Sequence, residues 1–271
     1  MGKLDGRVAF VTGAARGQGR AEAVLLAEEG ADIIAIDVCA SPTRTDYPAA
    51  TPDDLAETVR LVEKADRRIV SAQVDVRDLK AVSDVVTSGV AELGGRLDVV
   101  VANAGIVTWG RFWEMDIERW HSMIDINLTG VFHTLRAAVP YMIEAGNGGS
   151  IIATSSSAGI KSLPGQAHYS AAKHGVVGLV KSAAQELAPY RIRVNSLHPW
   201  AVSTPMGALG PEGEKVFADN PSYQNAMGQI LFDPPATDAE DIAKSVLFLA
   251  SDDSRTITAA QFTVDHGSTR I

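Results

Sequence analysis

The sequence predicts one α/β domain over residues 1–271, built as a doubly wound parallel sheet of seven strands. Three observations carry that prediction. Short β-rich apolar runs alternate with longer segments of helical period. The first run leads into a glycine-bearing turn, TGAARGQG at 12–19. The second run ends on an acidic residue, Asp37, 18 positions after Gly19.

Taken in order, the runs predict strands at 8–12, 32–37, 69–75, 97–102, 150–154, 192–197 and 261–264. Helical periodicity fills 17–29, 54–65, 79–93, 120–145, 169–188 and 239–250. Strands separated by helices form parallel βαβ units, so one sheet with helices on both faces accounts for the chain without a second core. Two stretches break the rhythm. Residues 39–53 (CASPTRTDYPAATPD) form a long insertion with prolines at 42, 48 and 52. Residues 205–237 are rich in Gly, Pro and polar residues, with aromatics at Phe217, Tyr223 and Phe232. Loops this long inside a domain are commonly functional, and the second is expected to cover a substrate.

At 271 residues and 46% hydrophobic composition the chain can bury one large core. A net charge of −9 argues against nucleic acid, which requires a basic face. No signal-peptide pattern and no membrane-length apolar stretch is found, so no membrane role is expected. Cys39 is the single cysteine, which excludes an internal disulfide and fits a reducing cytoplasm. The six histidines lack metal-ligand spacing.

Gly13, Gly17 and Gly19 stand as G-x-x-x-G-x-G between a predicted strand and helix. There glycine serves a tight turn and close approach of backbone to phosphate, and the helix N-terminus offers N–H groups to a pyrophosphate. Arg16 and Gln18 share that turn. Asp37 is placed to bind ribose hydroxyls and to repel a 2′-phosphate, which favours NAD over NADP. Arg16 argues the other way, as a salt-bridge partner for such a phosphate, but Asp37 would sit on the discriminating atoms and Val38 adds no positive charge. Asp75 and Val76 are candidates for the adenine edge. The small residues of Asn103-Ala104-Gly105 leave room for a ribose.

Tyr169 and Lys173 stand at i, i+4 on one predicted helix, and Ser156 lies 13 residues before Tyr169 at a strand end. A free tyrosine, with a pKa of about 10, is a poor base at neutral pH, and bringing it to about 7 takes roughly 4 kcal/mol. An ammonium nearby favours the phenolate, and the positive ring of NAD⁺ adds to it. The Ser156 hydroxyl is suited to orient a substrate oxygen.

Together these residues resemble the short-chain dehydrogenase/reductase family along the whole chain: TGAARGQG, Asn103-Ala104-Gly105, Asn127 within DINLTG, Ser156, and the Y-x-x-x-K of 169–173. The resemblance implies a Rossmann fold and hydride transfer between a nicotinamide and an alcohol or carbonyl. It implies Tyr169 as general acid/base, Lys173 as pKa tuner and ribose ligand, and Asn127 in a proton relay. The segment NSLHPWAVSTPM (195–206) resembles the family's P-G-x-V-x-T segment, which implies that Val202 and Thr204 receive the carboxamide. Trp200, Ala201 and Ser203 depart from that pattern, and bulky Trp200 puts the loop geometry in question. His198 is expected to be structural, since Tyr169 fills the role of base.

The insertion at 39–53, ARGQGR and DVRD further resemble the mycofactocin-associated, carveol-dehydrogenase-like branch. That branch implies oxidation of a small apolar secondary alcohol to its ketone, with tightly held NAD recycled by a redox partner. Tyr47 is then expected to cover the adenine. Family resemblance also implies a homotetramer, paired through the helices at 120–145 and 169–188. An NAD-linked 3-oxoacyl or steroid dehydrogenase is the second enzymatic reading. A non-catalytic NAD sensor is disfavoured, because it would need only the cofactor half of the motifs.

Overall fold

The computed structural model describes residues 2–41, 43 and 45–271. Its strands are β1 (Val8–Thr12), β2 (Asp32–Asp37), β3 (Ile69–Gln73), β4 (Val99–Ala102), β5 (Gly149–Thr154), β6 (Ile192–Pro199) and β7 (Gln261–Val264). They form one parallel sheet in the order β3-β2-β1-β4-β5-β6-β7. The order reverses between β1 and β4, which opens a crevice at the carboxyl edge. Every residue of β1 and β4 is buried, as a central parallel strand covered on both faces requires.

The helices are α1 (Gly17–Glu28), α2 (Pro52–Lys64), α3 (Leu79–Glu92), α4 (Ile117–Ile124), α5 (Gly130–Ala145), α6 (Ala167–Leu187), α7 (Gly210–Asp219) and α8 (Ala239–Ala250). One face of the sheet packs on α3, α5 and α6 through Phe10, Ile36, Val86, Met142 and Val180. The other packs on α1 and α8 through Val11, Leu26, Ile152 and Val246. No helix among the described residues is long and apolar enough to cross a membrane.

Several elements differ from the sequence expectation, four of them with a visible cause. The strand expected at 69–75 stops at Gln73, because Asp75 turns to accept from the Arg77 backbone and guanidinium, which ends the ladder. The helix expected at 54–65 starts at Pro52, since Thr51 and Asp54 form a reciprocal capping box. The helix expected at 120–145 starts at Ile117, capped by Asp116, and is broken by a π-helical turn at Asp125–Thr129. The glycine-rich stretch at 205–237 contains α7, which buries Val216 and Phe217 beneath an edge-on contact between Phe217 and Trp109. Of the insertion's prolines, Pro42 lies outside the described residues.

Helix α1 carries an anomaly. Glu22 is fully buried, and neither carboxyl oxygen has a hydrogen-bond partner among the described residues. Burial pushes its pKa from an ordinary 4.5 to about 8. Between those values the folded state holds a proton that the unfolded state has lost, so stability is fullest at low pH and falls as pH rises through about 8. Glu22→Gln is expected to gain on the wild type by about 1.4 kcal/mol per pH unit across that window. Thermal unfolding at pH 5 and pH 9 checks this, and a gap between the two proteins that does not widen with pH contradicts it.

Candidate active site

The crevice at the carboxyl edge is a cleft of about 320 Å³ running from Asp37 to Thr204. Its walls draw on the ends of all the central strands, because a parallel sheet delivers every such end to one side.

At the β1 end, Gly13 and Gly17 adopt positive φ of 70° and 55°, and a Cβ on Gly19 would collide with the Gly13 carbonyl. The turn therefore needs glycine for conformation at two positions and for packing at the third. Residue Arg16 caps α1 without a side-chain hydrogen bond, leaving the first N–H groups of the helix to face the cleft. Gln18 lines the same corner, and its Oε1 is buried without a partner among the described residues. Asp37 ends β2 and accepts from Ala15 N at 3.0 Å and Cys39 N at 2.9 Å, which fixes its carboxylate beside Val38. The Arg16 guanidinium is spent elsewhere, donating to the carbonyls of Pro48 and Ala49 in the insertion.

At the β4 end, the Thr12 hydroxyl accepts from both Asn103 N and Ala104 N at 3.1 Å. Asn103 Nδ2 returns a bond to the Thr12 carbonyl at 3.1 Å. Gly105 follows with no side chain, and a Cβ there would lie 2.7 Å from Asn127 Oδ1 and 3.5 Å from Lys173 Nζ. Asp75 and Val76 also line this wall.

Asn127 sits inside the π-helical turn, a feature common at functional sites. Its Nδ2 donates to the Met123 carbonyl at 3.1 Å, and its Oδ1 accepts from Ile106 N at 3.2 Å. Lys173 is buried, and its Nζ donates to the Thr154 carbonyl at 2.8 Å and lies 5.5 Å from the Tyr169 ring centre. Ser156 follows β5, and its hydroxyl accepts from Ala158 N at 3.1 Å. The fold thus brings Asn127, Ser156, Tyr169 and Lys173 to one end of the cleft.

Burial dominates the electrostatics here. It pushes the Tyr169 phenol up to about 12, against the downward pull of the Ser156 hydrogen bond. It also pushes the Lys173 ammonium down to about 7. The protein's own charges therefore do not lower Tyr169, contrary to the sequence expectation. The lysine meant to favour the phenolate is itself held close to neutrality by the same desolvation.

His198 is structural, as expected. It is fully buried, its Nδ1 donates to the Ser156 carbonyl at 2.7 Å, and its Nε2 pairs with the Ser196 hydroxyl at 2.9 Å. Burial lowers its pKa to about 4. A neutral histidine thus anchors the backbone of Ser156, a positioning contact the sequence did not reveal.

Trp200 does not disturb its loop. Its indole N–H donates to Gln229 Oε1 at 2.8 Å, and the Lys161 ammonium lies 5.1 Å from its ring. Val202 bridges to Thr237, which leaves the Val202 N–H and the Thr204 hydroxyl without hydrogen bonds among the described residues. Both residues line the cleft.

The insertion departs most from expectation. Tyr47 does not stay at the Asp37 end: its hydroxyl accepts from Val107 N at 3.1 Å, and its proximity raises the Tyr169 pKa. Asp46 packs against Gly210 so closely that a Cβ there would collide with it. The chain therefore crosses the cleft from β2 to the loop after β4 and the start of α7. The bare glycine turn, the unspent helix N–H groups, the fixed Asp37 carboxylate and the open Val202 and Thr204 donors fit a dinucleotide along its length.

A family model described as enoyl-(acyl carrier protein) reductase matches residues 13–269. The chain is similar to the (−)-trans-carveol dehydrogenase of Rhodococcus erythropolis, at 46% identity covering 99% of each chain. It is also similar to an uncharacterized NAD-dependent oxidoreductase of Mycobacterium tuberculosis, at 49% identity over 98% of this chain and 97% of that one. Among solved structures, a short chain dehydrogenase from Mycobacterium paratuberculosis bound to NAD superposes with a TM-score of 0.97 at 51% identity over all of both chains. The carveol dehydrogenase from Mycobacterium avium in complex with NAD gives 0.91 at 49% identity, again over all of both chains. With Tyr169, Lys173, Ser156 and Asn127 gathered at one end of the cleft, the chain belongs to the short-chain dehydrogenase/reductase family.

Proposed function

We propose that the protein is an NAD-dependent oxidoreductase that interconverts a small, largely apolar secondary alcohol of the carveol type and its ketone. The observation that carries this reading is the meeting of Tyr169, Ser156, Lys173 and Asn127 at the end of the cleft opposite Asp37. NAD, when bound, supplies the hydride acceptor and a positive charge. The Tyr169 phenolate takes the hydroxyl proton of the alcohol, and in the reverse direction the phenol returns it to the ketone oxygen. Ser156 holds that oxygen, with its own backbone fixed by His198. Lys173 and Asn127 line the path by which the proton leaves. The added positive charge completes what Lys173 alone does not, bringing the phenol down from about 12. Trp109, Leu163, Trp200, Met206 and Met227 give the substrate end an apolar lining, with the 205–237 segment as its cover. A homotetramer is part of this reading, and Ile117, Trp120 and Phe132 are exposed on α4 and α5.

Tyr169→Phe removes the proton acceptor. Single-turnover oxidation of a secondary alcohol is expected to slow by roughly 10²–10⁴-fold while NAD binding is retained. Hydride transfer within about threefold of wild type would assign the proton to another group.

Asp37 sets the cofactor preference. With Arg16 held by the insertion, Asp37→Ala removes repulsion without freeing a new cation, so the preference for NAD over NADP should shrink by about tenfold or more. Fluorescence titration of both cofactors measures the ratio. A wild type that binds the two equally overturns the assignment.

The insertion supports slow exchange of NAD and its reoxidation in place by a redox partner. Arg16, Tyr47 and Asp46 tie the strap at three points, so contacts must break before a cofactor beneath it leaves. Purified protein is expected to release nicotinamide on denaturation, and to turn over repeatedly only with a protein or dye acceptor. Protein free of nicotinamide that cycles briskly on added NAD⁺ would refute this.

A further inference from the structure

Trp200 stands in place of a small residue of the family pattern, at the exit of β6 and directly before the Val202–Thr204 loop. Its backbone is unstrained: it is not at positive φ, and its N–H donates to the Val264 carbonyl at 3.2 Å, continuing the pairing of β6 with β7. Its side chain is held on two sides. The indole N–H donates to Gln229 Oε1 at 2.8 Å. The Lys161 ammonium lies 5.1 Å from the ring centre while donating to the Ser268 carbonyl at 2.8 Å. An apolar filler would need neither contact.

An indole N–H can only donate, so it fixes which end of the Gln229 amide faces Trp200. The other end, Nε2, is thereby turned into the 205–237 segment. There it donates to the Leu231 carbonyl at 2.8 Å and the Pro235 carbonyl at 3.3 Å, and approaches His266 Nδ1 at 3.5 Å. His266 grips the same segment at two places. Its carbonyl accepts from Ile230 N at 2.9 Å and Leu231 N at 3.0 Å, and its Nε2 pairs with the Thr237 hydroxyl at 3.0 Å. Thr237 then returns to the loop that began at Trp200. Its N–H donates to the Ala201 carbonyl at 2.8 Å, and its carbonyl accepts from Ser203 N at 2.9 Å. The contacts form a closed circuit, from Trp200 through Gln229, His266 and Thr237 to Val202.

The circuit decides where Val202 points. Thr237 lies opposite Val202 in a parallel pairing, yet it bonds the two neighbours, Ala201 and Ser203, so the N–H of Val202 itself turns away from Thr237. That N–H makes no hydrogen bond among the described residues, and Val202 and Thr204 both line the cleft. Close packing carries this geometry on to the glycine turn, since a Cβ on Gly17 would lie 3.2 Å from Thr204 Cγ2. We infer that Trp200 is a positioning residue, which acts through Gln229, His266 and Thr237 to aim the Val202 N–H and the Thr204 hydroxyl at the carboxamide of NAD. The inference rests on the reading that these two groups receive the carboxamide, and it deepens that reading by naming what sets their direction.

The test reads binding, with no alcohol present. Purified protein is equilibrated with mixtures of NAD⁺ and the analogue in which unsubstituted pyridine replaces nicotinamide, and the bound nucleotides are quantified after denaturation. The analogue keeps the dinucleotide, the ring and its charge, and lacks only the amide. Wild type is expected to favour NAD⁺, since a site built to bond a group rejects the analogue lacking it, and Thr204→Val is expected to lower that ratio. Trp200→Phe keeps a ring beside Lys161 and removes the N–H. It should lower the ratio by about three- to tenfold, as when part of one or two hydrogen bonds is lost. Gln229→Leu and Thr237→Val, which cut the circuit further along, should do the same. The double variant of Trp200→Phe with Gln229→Leu should fall no further than either alone. Total nucleotide bound per chain is expected to stay at the wild-type level, which an unfolded variant would not show. A Trp200→Phe ratio equal to wild type, with that of Thr204→Val lowered, overturns the inference and leaves the reading intact. So do effects of Trp200→Phe and Gln229→Leu that add in the double variant. A wild type indifferent between NAD⁺ and the analogue sinks the reading of Val202 and Thr204, and the inference with it.

Discussion

The Thr12 hydroxyl closes the carboxyl end of the ladder between β1 and β4. Thr12 accepts from two consecutive backbone N–H groups, Asn103 and Ala104, at a point where the sheet ends and no ladder partner remains for them. That contact sets how far apart the two strand ends stand, and the topological crevice opens between them. The glycine turn lies on one side of it and Gly105 on the other. Gly105 in turn is the space into which Asn127 and Lys173 approach. The β1 and β4 sides of the cleft are thus registered to each other through backbone.

Desolvation shapes the chemistry as strongly as charge does. Lys173 is surrounded by sheet and helix, and the same packing that fixes its Nζ on the Thr154 carbonyl drives its pKa to about 7. Tyr169 is driven the opposite way, to about 12. Both shifts favour neutral groups, so the site stores little charge of its own. His198 plays a quieter role in the same setting: a neutral imidazole inside the sheet holds the strand end that carries Ser156.

Closure of the cleft comes from two segments that meet. The insertion crosses from β2 and touches the loop after β4 through Tyr47, and Asp46 presses on the start of α7. On the opposite side Trp200 is secured by Gln229 and Lys161, which joins the β6 exit to the C-terminal segment. Tyr47, Trp109 and Trp200 contribute large flat side chains to the cleft lining.

The sequence by itself determined the strand and helix alternation, the seven-stranded parallel sheet, the glycine turn, Asp37 and the Tyr169–Lys173 pair. Each of these is a local pattern: hydrophobic period, a turn needing positive φ, or spacing along one helix. Tertiary structure alone decided the rest. It broke the expected helix at Asp125–Thr129, where the Asn127 side chain takes up the Met123 carbonyl. It committed Arg16 to the insertion, which composition could not foretell, since a basic residue in a turn is equally suited to phosphate or carbonyl. It carried Tyr47 to the Tyr169 end of the cleft, a displacement set by partners 60 residues away in the chain. It also reversed the expected sign of the Tyr169 shift, because a pKa depends on how much water is excluded, and exclusion is a property of packing in three dimensions.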